Sequence, residues 1–210
     1  MSGILDLLSS PVGKKMISGV ADQTGNSTDQ AGSVLTMALP LLMGAMKKNA
    51  ATPEGAQGLM NALSNKHDGS ILNNLGGLFD GGVDDSVKQD GAGILGHVLG
   101  GKQAQVENAI SKKSGVDAGS VASILKMAAP ILMGMIGQKK QQGNISDSNG
   151  IQSLLHSMMG GGAKADKQQS LIESFLDSDN DGSILDDVAS LALGGKKGGI
   201  GGMLGGLFGK

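Results

Sequence analysis

A ten-residue stretch of this chain is written twice. Leu35-Thr36-Met37-Ala38-Leu39-Pro40-Leu41-Leu42-Met43-Gly44 returns as Leu125-Lys126-Met127-Ala128-Ala129-Pro130-Ile131-Leu132-Met133-Gly134, ninety residues on. The same spacing places Gly3-Ile4-Leu5 on Gly93-Ile94-Leu95, Met16 on Val106, Val20 on Ile110 and Thr24-Gly25 on Ser114-Gly115. A single register held over so long a span marks an internal repeat, and a repeat restricts the fold to two copies of what one unit can form. Downstream, Asp68-Gly69-Ser70-Ile71-Leu72 recurs as Asp181-Gly182-Ser183-Ile184-Leu185 at a spacing of 113, so the second copy carries 23 more residues. These are read as an added helix around Ile151-Gln152-Ser153-Leu154-Leu155, with the glycine joint Gly160-Gly161-Gly162 behind it. The expected organisation is a first helical repeat over 1–80, a linker rich in Gly and Asp over 81–91, a second repeat with an inserted helix and an acidic loop over 92–195, and a glycine-rich apolar tail over 196–210.

Within a unit the apolar pattern has a helical period. Met16, Ile17 and Val20 share one helix face, the pattern stops at Gly25, and Ser27-Thr28-Asp29 offers N-cap chemistry for a restart. Asp117, after Gly115-Val116, serves the second copy in the same way. Pro40 and Pro130 fall inside the two central apolar segments, where a proline removes a backbone donor and crowds the preceding turn, so a kink or a fresh helix start is expected at each. Thr52-Pro53-Glu54 opens another short helix with proline in its first turn. No alternation suggests strands. The fold class read from the sequence is therefore all-α: two tandem copies of a short-helix bundle unit with a Pro-kinked central helix in each, the 37 glycines serving as punctuation.

What the composition excludes is more decisive than what it contains. All 17 basic residues are Lys, which removes the planar guanidinium fork used for phosphate and guanine recognition. With net charge −2, no basic block longer than Lys-Lys and no Trp or Tyr to stack on a base, neither a phosphate-tracking stripe nor a stacking platform can be drawn. The absence of cysteine rules out disulfides, a thiolate nucleophile and a zinc-thiolate site. The start, Met1-Ser2-Gly3-Ile4-Leu5-Asp6, lacks the pattern of a secretory signal, and no uninterrupted apolar run approaches the roughly 18 residues of a membrane span. The expected address is the cytoplasm.

The run Gly93-Ile94-Leu95-Gly96, then Val106 and Ile110, then Ser114-Gly115-Val116, then Leu125 with Ala129-Pro130 and Gly134, resembles the YidB-like family of bacterial proteins, a family of unknown function. The ending Asp177-Ser178-Asp179-Asn180-Asp181-Gly182-Ser183, followed by Asp186-Asp187, is similar to the tail motif of many members. The resemblance implies homeodomain-like helix triples and brings no established activity. This chain departs from the pattern by its duplication and by the missing acidic motif in the first copy. A homeodomain-like topology invites a DNA-binding reading, which the absence of Arg and the acidic balance oppose.

One constellation carries chemistry. Asp177, Asp179 and Asp181 stand at alternate positions, Gly182 permits a sharp turn and the Ser183 carbonyl supplies a further oxygen, which is how a calcium loop opens. The EF-hand form closes with a bidentate Glu at the twelfth position, and Val188 stands there; Asp186 or Asp187 can close the cage instead. The alternative is a solvated acidic turn capping the helix that follows. In the first copy Ser64 and Lys66 stand where Asp177 and Asp179 do, so its DGSIL element works without a cation. His67, His97 and His156 show no ligand or triad spacing and read as exposed or packing residues. Met37, Met43 and Met46, with Met127, Met133 and Met135, read first as core filling and second as an adaptable peptide groove.

In the tail, Ile200, Met203, Leu204, Leu207 and Phe208 would share one face of a helix, as in a contact or membrane-surface element, but its glycines each cost such a helix about 1 kcal/mol relative to Ala. The functional expectation is a non-catalytic interaction or structural module. It self-associates or binds an unknown protein partner, contacts a membrane at most peripherally through its tail, and holds one Ca2+ at most, in the second copy. DNA binding by fold analogy is the alternative, and no enzyme activity is expected.

Overall fold

A computed structural model describes residues 4–159, with side chains from Leu7 onward. Helix α1 (Ile4–Ser9) leads into α2 (Pro11–Thr24), the long central α3 (Thr28–Asn49) and α4 (Pro53–Asn65). A 3-10 turn over Ser70–Asn74 and the short α5 (Leu75–Phe79) follow. The second half contains α6 (Asp85–Leu99), α7 (Gln103–Ser114), the long central α8 (Ala118–Gln142) and α9 (Ser148–Met158). Among the described residues every regular element is helical, so the all-α class holds.

Helix ends repeat under the ninety-residue spacing. Both α2 and α7 stop at a glycine in the left-handed region, Gly25 at φ 66° and Gly115 at φ 73°. Three residues later α3 and α8 begin. The Ser27 hydroxyl accepts the Gln30 backbone N–H at 3.1 Å while the Gln30 side chain accepts the Ser27 N–H, a reciprocal capping box. In the second copy the Asp117 carboxylate accepts the Ser120 N–H at 2.8 Å.

The central helices are longer than the short helices expected, at 22 and 25 residues, and Pro40 and Pro130 lie inside them without a fresh helix start. A proline in this position leaves one carbonyl of the preceding turn without its intrahelical donor. That carbonyl belongs to Lys126 in the second copy, and the backbone of α6 packs directly on it at Gly91, where any Cβ would collide with the Lys126 oxygen. The proline thus fits into α8 because its freed carbonyl faces a neighbouring helix whose backbone comes close enough for weak Cα–H···O contact. Glycines such as Gly91 and Gly137 are accordingly packing positions within helices rather than punctuation between them.

The helix expected as an insertion takes the place of α4. Thr52 and Asp147 cap α4 and α9 alike, accepting the N–H groups of Gly55 at 3.1 Å and Gly150 at 2.8 Å. Gln57 and Leu59 find their counterparts in Gln152 and Leu154 at a spacing of 95. The sequence match was hidden by a longer α8 and a longer connection after it. Of the stretch expected as a linker over 81–91, residues from Asp85 onward are the first turns of α6.

The halves interleave, and part of their packing repeats under exchange of the copies. Helix α2 lies on α8 as α7 lies on α3; α4 lies on α8 as α9 lies on α3; α3 packs on α8 and α4 on α9. Each central helix is therefore covered by elements of the other copy. Leu35, Leu39, Leu42, Ile124, Leu125 and Ile131 are among the fully buried side chains of this shared core. From Met127 to Gly137 every residue of α8 is buried, as befits a helix apolar on all sides. By length and composition α8 suffices to cross a membrane, and 72% of its most apolar window is buried inside the bundle.

Candidate functional site

The six residues expected to hold calcium, Asp177, Asp179, Asp181, Ser183, Asp186 and Asp187, lie outside the described residues. So does the apolar tail. The first copy's counterpart is described: the Asp68 carboxylate accepts the Ser70 N–H at 2.9 Å, a bond that also holds its pKa below the ordinary aspartate value. The turn seats on α8, with the Ile71 side chain against Gly134 and the His67 carbonyl against Gly137. Here the DGSIL element is a turn docked on α8 and closed by the Asp68 carboxylate. Among the described residues no three His, Asp or Glu side chains converge on a point that can hold a metal ion.

A cleft of about 660 Å³ opens between α4 and α6. One wall is the stripe Gly55, Gly58, Leu59, Ala62 and Lys66 along α4; the other is Ser86, Gln89, Asp90, Gly93, Ile94 and His97 along α6. Both follow the three-to-four-residue spacing of a single helix face. Met46 of α3 and Met133 of α8 form the floor. The cleft is tied at two points. Asn49 of α3 donates to the carbonyls of His97 and Val98 at 3.1 and 3.3 Å, and His67 Nε2 stands 3.6 Å from Asp90 Oδ2. Met46 and Met133 are 2% and 3% exposed, core residues whose edges reach the cleft floor.

His67, with a relative exposure of 6%, is the one buried polar or charged residue among those described. Burial lowers its pKa from the usual 6.5, against the opposing pull of Asp90; Lys66 lowers it further and Asp68 raises it. The unfolded chain thus takes up this proton before the folded one does. His67 therefore favours the fold fully above pH 6.5, and its contribution fades as pH falls through the ordinary histidine range toward the lowered folded value. Thermal unfolding followed from pH 8 to pH 5 is expected to show an acid-side loss of stability that His67→Gln flattens; an unchanged acid limb would count against this assignment.

The sequence match now completes the geometry. A family model described as bacterial protein of unknown function (DUF937) matches residues 6–139 and 145–210. The chain belongs to the DUF937 family. This agrees with the resemblance to YidB-like proteins read from the motifs. The first matched segment runs through the junction between the copies, as a DUF937 chain with interleaved halves allows. No curated protein matches the chain, and no solved structure does. The cleft of this DUF937 chain was not legible as a site because its walls mix glycine, alanine and serine with scattered polar and aliphatic residues that form no chemical motif. The one signal available was the three small residues Gly55, Gly58 and Ala62 on a single face of α4.

Proposed function

We propose that this chain is a non-catalytic helical interaction module, and that the cleft between α4 and α6 receives a helical segment of a protein partner. The observation that carries this reading is the shape of the cleft. Two helix faces, opened by Gly55, Gly58 and Ala62 on α4 and by Ser86 and Gly93 on α6, stand apart on a common support and leave the space a third helix would fill. The walls run for about three turns, or about 16 Å at the 1.5 Å rise of a helix, long enough for a short amphipathic segment. The edges of Met46 and Met133 give the floor an apolar base. Glu54 and Asp90 at the rim, with a single Lys66, disfavour nucleic acid as the occupant.

The cysteine-free sequence makes the test direct. In the full chain, Gly58→Cys gives a single attachment point in open space inside the cleft, and Lys112→Cys gives one on exposed α7 away from it. A photocrosslinker at Gly58→Cys is expected to trap a discrete protein that excess unlabelled chain displaces and that Ala62→Trp abolishes. Identical patterns from the two positions, or no displacement, would remove the cleft from the proposal.

The acidic loop of the second copy supports a second element of the reading, a calcium site, on the spacing of Asp177, Asp179 and Asp181. Calorimetric titration of the full chain with calcium is expected to show one site, lost in Asp177→Ala with Asp179→Ala. Absence of heat in the unaltered chain would leave the loop as a solvated turn.

A further inference from the structure

We propose that the turn between α5 and α6 is an exchange hinge, and that a second copy of this chain is a partner whose half can replace its own. This goes beyond the proposed function and rests on the interleaved packing alone. Each half ends up against the central helix of the other, yet the two are joined only by the few residues between Phe79 and Asp85. Two chains that open at this joint and trade halves recover every contact between halves that the single chain makes. The surface that a half presents to its own chain is therefore, without alteration, a docking surface for another copy.

The closed form is held at the hinge by identifiable contacts. Gly81 and Gly82 have φ of 76° and 106°, values strained for any residue with a side chain. Gln23 of α2 fastens both sides of the turn: its Nε2 donates to the Phe79 carbonyl at 3.2 Å and its Oε1 accepts the Val83 N–H at 3.1 Å. On the near side the Phe79 ring sits where a Cβ of Gly19 would be, and on the far side Val83 is buried. Substituting the glycines strains only the closed turn, because an extended hinge has no need of positive φ. Removing the Gln23 amide releases both hydrogen bonds of the clamp.

The experiment uses the full chain with the unaltered hinge, with Gly81→Val plus Gly82→Val, and with those two plus Gln23→Ala. Mass by light scattering is expected to be chiefly that of one chain for the first, and to shift toward twice that mass in the order given. Ser64→Cys and Lys140→Cys, added to all three, report which chain supplies the contact, because the native side chains meet across the halves at 3.0 Å. A short bis-maleimide is expected to join these positions within one chain in the monomer and between two chains in the dimer. Variants that keep their helicity and the mass of one chain would overturn the proposal, as would dimers whose cross-link stays within a chain. Should the valine variants fail to fold, the unaltered hinge refolded at rising concentration decides: interchain cross-links that increase with concentration support exchange, and their absence overturns it.

Discussion

Gly91→Ala is expected to destabilise the fold by about 3 kcal/mol, whereas Gly96→Ala in the same helix stabilises it by about 0.5–1 kcal/mol. Both positions lie within α6, so helix propensity alone favours alanine at each. Their surroundings reverse the outcome. Nothing lies within 4 Å of a Cβ at Gly96, while at Gly91 a Cβ would run into the Lys126 carbonyl of α8. That oxygen belongs to backbone and cannot rotate away, and it is the carbonyl that Pro130 leaves without an intrahelical donor. Relief requires α6 to move off α8, and α6 on α8 is the most extensive helix pairing in the bundle. Denaturant unfolding of the two variants beside the unaltered chain reads both signs; a mild effect at Gly91 would mean that the helices separate at little cost.

Leu35→Ala and Leu125→Ala are each expected to cost about 3 kcal/mol, and both are expected to lower the same single unfolding transition. The two leucines occupy equivalent places in the copies and are fully buried, so each truncation removes apolar contact and leaves a void. With separate domains, each substitution would shift one transition and spare the other. With each central helix covered by the opposite copy, neither half can melt alone. Calorimetry resolves the alternatives: two peaks, with only one of them displaced by each variant, would contradict the shared core.

Much of the local structure could be read from the residues. Ser27 and Asp117 cap where cap chemistry stands, Gly25 and Gly115 end helices where a left-handed residue is needed, and Pro53 opens α4. Such features depend on a few neighbouring residues, and the repeat supplies each one twice. The continuity of α3 and α8 through their prolines was not legible, because it depends on what receives the freed carbonyl, and Gly91 stands 35 residues from Lys126 in sequence. Interleaving was hidden for a related reason. A repeat tells what one unit can form, but an apolar face does not say which copy will cover it. The cleft left almost no trace, since an empty space between helices depends on how far apart they stand and not on any residue motif, and His67 became notable only once the fold had buried it.

Two copies of one helical unit share a single core here, and cutting between them puts that arrangement to the test. A protease site placed between Gly81 and Gly82 of the full chain allows the joint to be severed after folding, in a turn exposed to solvent. The expected result is that the two pieces remain together at the mass of one chain with helicity unchanged, that each loses cooperative unfolding once separated in denaturant, and that mixing restores it. Pieces that part under native conditions, each with its own sharp thermal transition, would show that the halves are independent domains and would contradict the account.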